Sequence, residues 1–230
     1  MAKYKIIAFD ADDTLWVNEP YFREAEDQFA KLLSIYETEN KIQQELYKVI
    51  TGNIPLYGYG VKSCILSMIQ CATELSNNTL PAKITQQILA IGKEMLTKPI
   101  ELLPGIVEVL EELSKTYTLI VLTKGDLLDQ EKKLERSGLL KYFHHVEVMS
   151  EKNPEGYQRI LNHLDIASKD FLMIGNSLKS DVLPVLKIGA NAIHIPFHSI
   201  WQFETVAQDV IDTHEYPILT SAKKIIEFLQ

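Results

Sequence analysis

The stretch 5-KIIAFDADDTLW-16 begins as an apolar run and ends with three carboxylates, Asp10, Asp12 and Asp13, inside four positions. The run over 4–9 has the length and continuity of a strand buried in a sheet. Acids gathered at the end of such a strand need a reason, because neighbouring carboxylates repel one another unless a cation sits among them.

Working outward from this strand, the apolar period changes. From about residue 20 to 97 every pattern is helical: Phe22, Ala25, Phe29, Leu32 and Tyr36; Ile42, Leu46 and Val49; Cys64, Ile65, Met68, Ala72 and Leu75; then Ile84, Ile88, Ile91 and Met95. Four helices with no strand between them are expected. After "KPIELLPG" at 98–105 helices and strands alternate, with helices over 105–115, 127–137, 154–164 and 179–188 and strands over 117–123, 145–149, 170–175 and 191–195. Such alternation predicts parallel strands joined by crossover helices, an α/β fold with a Rossmann-like doubly wound parallel sheet. The first strand belongs to that sheet, so the helical block is an insert. The predicted division is a core of 1–15 and 100–230 and an all-helical domain of 16–99, joined by linkers near 15–19 and 97–104.

Open parallel sheets bind ligands at the carboxyl ends of their strands. Those ends carry Asp10, Asp12, Asp13 and Thr14; Thr123, Lys124 and Gly125; and "GNSLKSD" at 175–181, with Asn176, Ser177 and Asp181. A crevice of hard oxygen ligands suits Mg2+. Metal, lysine and hydroxyls together suit a phosphoryl group.

Composition limits the alternatives. The chain has 230 residues, with 23 Lys and Arg against 31 Asp and Glu, a net charge of −8. With no long basic run, a nucleic-acid surface is not expected. Runs such as "TLIVL" and "FLMI" fall far short of the roughly 20 apolar residues that span a bilayer. A soluble cytoplasmic protein without membrane or nucleic-acid partners is expected; the sequence leaves its oligomeric state open. Cys64 and Cys71 lie seven apart on one helical face, too far along the axis to bond to each other, and read as buried thiols.

"DADDT" at 10–14, a strand-final Thr123, Lys152 in "SEKNP" and "GNSLKSD" at 175–181 resemble, in this order, the four motifs of the haloacid dehalogenase (HAD) superfamily. The resemblance spans the chain, since that family also carries a helical cap after its first motif. It implies that Asp10 is a nucleophile forming an aspartyl-phosphate, and that Asp12 protonates the leaving oxygen and later activates water. Members that cleave carbon–halogen bonds have no acid at that position, so Asp12 implies a phosphatase or phosphotransferase. The resemblance further implies that Thr123 and the Lys124 backbone N–H hold phosphoryl oxygens and that Lys152 neutralises Asp10 and the transferring group. Mg2+ would be bound by Asp10, the main-chain oxygen of Asp12 and Asn176, with Asp181 close behind.

Two positions depart from the family pattern. Asn176 stands where Asp or Glu is common, and offers an amide oxygen without charge; an Asx turn suits it equally. Asp13 replaces a common glycine and is expected to face away from the phosphate, capping the chain as it leaves the strand. Substrate choice is expected to come from the inserted domain. There "TGNIPLYGYGVKS", 51–63, breaks the helical pattern and offers Tyr57, Tyr59 and Lys62 as a specificity loop or, equally, a plain interhelical connection. Trp16, Tyr21 and Phe22 are candidates to line the entrance, with core of the inserted domain the preferred reading for Phe22. The leading expectation is a Mg2+-dependent phosphatase of a small phosphorylated metabolite. A phosphomutase or phosphotransferase, or a non-catalytic binding protein of the same fold, are the alternatives.

Overall fold

The computed structural model describes residues 3–230. It contains a parallel five-stranded sheet of order β3-β2-β1-β4-β5, formed by β1 (Ile6–Phe9), β2 (Thr118–Thr123), β3 (His145–Val148), β4 (Phe171–Gly175) and β5 (Asn191–His194). The order reverses between β1 and β4, so the crevice of this doubly wound sheet lies at their carboxyl ends. The register sets Phe9 opposite both Val121 and Ile174. Asp10 and Gly175 therefore leave the sheet at one level, with Thr123 one residue beyond.

Alternation along each strand explains why the runs are apolar throughout. Ile7, Phe9, Leu119, Val121, Leu172 and Ile174 pack on one face against α5 (Ile106–Leu113) and α10 (Lys224–Leu229). Ile6, Ala8, Ile120, Leu122, Phe171 and Met173 pack on the other with Tyr157 and Leu161 of α7 (Pro154–His163) and Val185 of α8 (Leu183–Lys187). Both faces are dry, as a parallel sheet requires.

The chain falls into two compact units: Met1–Glu19, Ile100–Lys124 and Gln130–Gln230 in one, Pro20–Pro99 and Gly125–Asp129 in the other. The second holds the rest of α1 (Glu19–Leu32), with α2 (Glu39–Tyr57), α3 (Val61–Leu75) and α4 (Ala82–Thr97). Their apolar stripes, Phe29, Ile42, Leu46, Met68 and Ile88 among them, are buried. Cys64 and Cys71 are both buried, and neither is joined in a disulfide. Within this unit Lys62 Nζ donates to Asp126 Oδ1 at 2.9 Å. The two linker stretches run side by side within the sheet unit, Val17 N–H donating to Glu101 O and Leu103 N–H to Leu15 O, both at 2.9 Å.

Three expectations need correction. The helical pattern does not break at 51; α2 runs through Pro55 to Tyr57. Pro55 sits in the last turn, so only the Thr51 carbonyl loses its N–H partner, and Gly58 N–H closes the helix on Ile54 O at 2.8 Å. Trp16 does not line an entrance; it is 1% exposed within the core. The segment predicted as one helix over 179–188 is a π-helical turn, Leu178–Val182, followed by α8. Pro184 supplies no N–H, and inside a continuous helix it would leave Ser180 O without its i+4 donor. That carbonyl instead accepts from Tyr157 Oη at 2.9 Å.

Candidate active site

The sheet unit brings Asp10, Asp12, Thr123, Lys124, Lys152, Asn176 and Asp181 together at the carboxyl ends of β1, β2 and β4. At the centre Lys152 Nζ donates to Asp10 Oδ1 at 2.5 Å and to Asp181 Oδ1 at 2.7 Å. The Lys152 and Asp181 side chains are each 1% exposed. Burial raises the Asp10 carboxyl to about 7, against the pull of Lys152, with Asp181 and Asp12 pushing the same way as burial. Burial also pulls Lys152 down, yet Asp10 and Asp181 together raise it. The Lys152 ammonium is thus held charged between two carboxylates, whereas Asp10 faces one ammonium and takes up its own proton below about 7.

Thr14 joins β1 to β4. Its hydroxyl lies 3.1 Å from Asp10 Oδ2 and 3.3 Å from Asn176 Oδ1, and it accepts from Asn176 N–H at 3.1 Å. A carboxylate oxygen and an amide oxygen thus converge on one atom. Asp181 is pinned behind them, its Oδ2 accepting from Ser177 N–H at 2.9 Å. Gly175 is required here, because a Cβ at this position would stand 2.2 Å from Asp181 Oδ2.

Among the described residues no group of three or more His, Cys, Asp or Glu side chains is placed to hold a metal ion. The oxygen set still fits Mg2+, which takes one or two carboxylates, keeps several waters and uses substrate phosphates as further ligands. Asp10 and Asn176 would supply the nearest side-chain oxygens. The Asp12 carboxylate is otherwise engaged, so only its main-chain oxygen remains a candidate. Its Oδ1 accepts from Trp16 Nε1 at 2.7 Å and Lys133 Nζ at 3.0 Å, and its Oδ2 from Gln130 Nε2 at 3.0 Å.

Thr123 is 1% exposed; its hydroxyl donates to Lys124 O at 3.1 Å and accepts from Gln130 Nε2 at 2.8 Å. The Lys124 ammonium is directed away from Asp10. It binds Ser180 Oγ at 2.9 Å and Glu204 Oε1 at 2.7 Å, so it does not stand in for Lys152. Glu204 also accepts from Ser177 Oγ at 2.5 Å and Ser180 Oγ at 2.6 Å. Burial raises the Glu204 carboxyl, but Lys124 and the two hydroxyls outweigh it and lower it overall.

Asp13 has φ 61°, a left-handed conformation that asparagine and aspartate tolerate and glycine adopts freely. Its carboxylate accepts from the N–H groups of Asn18 at 2.8 Å and Glu19 at 3.0 Å, where α1 begins. Position 13 therefore caps a helix and lies outside the Asp10–Lys152 contacts.

The sequence pattern missed Gln130, Lys133, Glu204 and His194. His194 Nε2, on β5, meets Asn176 O at 2.9 Å. Gln130 and Lys133 are one turn apart in α6 (Leu127–Ser137), just after β2, a placement that puts its first polar stripe beside the crevice. Tyr57 and Tyr59 belong to the helical unit; Tyr57 ends α2 and is about half exposed, and Tyr59 lies in the turn before α3.

A family profile described as a haloacid dehalogenase-like hydrolase matches residues 4–189. The crystal structure of a HAD-like hydrolase from Xanthomonas campestris superposes with a TM-score of 0.84 at 37% identity, covering 100% of this chain and 97% of that one. Human N-acylneuraminate-9-phosphatase is 23% identical over 205 residues, 84% of this chain and 82% of its own. The HAD hydrolase YfnB of Bacillus subtilis, solved bound to magnesium, has the same fold, with a TM-score of 0.63 at 17% identity over 99% of each chain.

Proposed function

The chain belongs to the haloacid dehalogenase-like hydrolases, and on that premise we propose that it is a cytosolic Mg2+-dependent phosphatase acting on a small phosphomonoester. The observation that carries this reading is the buried Asp10–Lys152–Asp181 array beside the carboxyl-bearing Asp12. The similarity to the human phosphatase supports phosphoryl chemistry.

Asp10 attacks phosphorus, and the bond to the leaving oxygen breaks as Asp12 delivers its proton to that oxygen. Asp12, now a carboxylate, takes a proton from water as the water oxygen bonds to phosphorus. The bond between Asp10 and phosphorus breaks, phosphate leaves, and Asp12 is again protonated. Lys152 lies against Asp10 and offsets the negative charge of the incoming group; Thr123 and the Lys124 N–H offer donors to its oxygens. Bound Mg2+ would draw charge from the phosphoryl oxygens, held by Asp10 and Asn176, with the Asp12 main-chain oxygen completing the protein share and Asp181 behind.

For the helical unit, we propose from the sequence pattern that Tyr57 and Tyr59 select the leaving group. A metabolite screen with Tyr57→Phe and Tyr59→Phe tests this through KM.

The chemistry is tested by phosphate release from 4-nitrophenyl phosphate with Mg2+ and with EDTA, beside Asp10→Asn. Metal-dependent turnover that disappears in Asp10→Asn supports the reading. A wild type as silent as the variant with Mg2+, Mn2+ and Co2+ refutes simple hydrolysis and turns attention to a phosphomutase.

A further inference from the structure

The Asp12 carboxylate is held by three donors from two elements. Trp16 Nε1 approaches from the stretch after β1, while Lys133 Nζ and Gln130 Nε2 approach from α6. Lys133 is itself fixed, since Nζ also donates to Asn18 Oδ1 at 2.9 Å and its side chain is only 13% exposed. Gln130 is 2% exposed, and the same Nε2 reaches Thr123 Oγ1 and Lys124 O, each at 2.8 Å. Its amide orientation is dictated by these acceptors. Turned over, Oε1 would face the Lys124 carbonyl, which only accepts. The fold keeps this orientation even though Gln130 Oε1 is buried without a hydrogen-bond partner. Asp12 is thereby tied to the end of β2, where the phosphoryl oxygens are proposed to lie.

A general acid contributes only when its proton is aligned with the leaving oxygen, and a small misplacement is costly. We propose that Lys133, acting with Gln130 and Trp16, is the positioning residue that aims the Asp12 carboxyl at the leaving group. This rests on the phosphatase reading above. It predicts a dependence on the leaving group: one that departs readily as an anion needs no aimed proton, whereas an alkoxide does.

The test compares 4-nitrophenyl phosphate with benzyl phosphate, two esters of similar size, through kcat/KM, which reports steps up to leaving-group departure. Lys133→Met is expected to lower kcat/KM for benzyl phosphate by roughly tenfold or more, within the range of general acid catalysis. The value for 4-nitrophenyl phosphate should change less than about threefold, and Lys133→Arg should recover most of the benzyl activity. A merely structural lysine would depress both substrates alike. Equal losses, or no loss on either, would overturn the inference. If Lys133→Met does not fold, Lys133→Gln carries the same expected split and the same refutation. Asp10→Asn in parallel separates the two levels. A wild type no more active than Asp10→Asn removes the phosphatase reading and this inference with it. An active wild type, a silent Asp10→Asn and no split remove only the positioning role.

Discussion

Replacing Lys152 with Met keeps a side chain of similar length and removes the ammonium between Asp10 and Asp181. Both contacts are short, 2.5 and 2.7 Å, and the lysine side chain is 1% exposed. Breaking a buried pair costs about 3–5 kcal/mol, because the remaining charge has lost its partner. For a chain of 230 residues this corresponds to a fall in Tm of roughly 6–20 °C. The sign with pH follows from Asp10. Its folded carboxyl stands near 7, above the ordinary 3.8, and loses the downward pull of Lys152 in the variant. A group raised on folding contributes stability that is complete below its unfolded value and is lost as pH rises through the folded one. Between pH 4 and about 7 both folded proteins hold the Asp10 proton, so the Tm gap between wild type and Lys152→Met should be level there and widen toward pH 8, where the wild-type carboxylate ionises beside an ammonium and the variant's has none. Thermal unfolding followed by circular dichroism across this range measures it. A gap of constant size would mean that lost packing, rather than unpaired charge, explains the effect, and no gap at pH 8 would refute the argument.

Gly175→Ala should cost about 1–3 kcal/mol and abolish phosphate release, since its Cβ would collide with an Asp181 carboxylate pinned by Lys152 and Ser177; thermal unfolding and an activity assay check both parts. Asp13→Ala should lose about 2–3 kcal/mol in urea unfolding, from the helix cap together with a left-handed backbone alanine disfavours, whereas Asp13→Asn should lose far less. Cys71, pushed up to about 12 by burial and then by Glu74 and Glu45, should react with iodoacetamide at pH 8 roughly a thousandfold more slowly in the native protein than in urea.

The sheet was readable because its strands are buried on both faces, and each predicted range lies within two residues of the observed one at either end, as for Phe171–Gly175. Helix ends depending on tertiary partners were not. Pro55 reads as a breaker, but buried Ile50, Asn53 and Ile54 hold the last turn of α2 in place. Asp10 and Asp12 stand out in sequence because they crowd one strand end. Lys133 and Glu204 do not, since their meaning comes from contacts 121 and 80 residues away with Asp12 and Lys124. Trp16 looked like an entrance residue because it follows the acids; its indole N–H instead serves Asp12 from within the core.

The central claim, covalent phosphoryl transfer through Asp10, is tested most directly by acid-quenching the protein during turnover of 4-nitrophenyl phosphate with Mg2+ and mapping its peptides by mass spectrometry. The account predicts one hydroxylamine-labile phosphoryl group on the peptide carrying Asp10, absent from Asp10→Asn. A phosphoryl group on another residue, or turnover with no trapped group under conditions where the wild type is saturated, would contradict it.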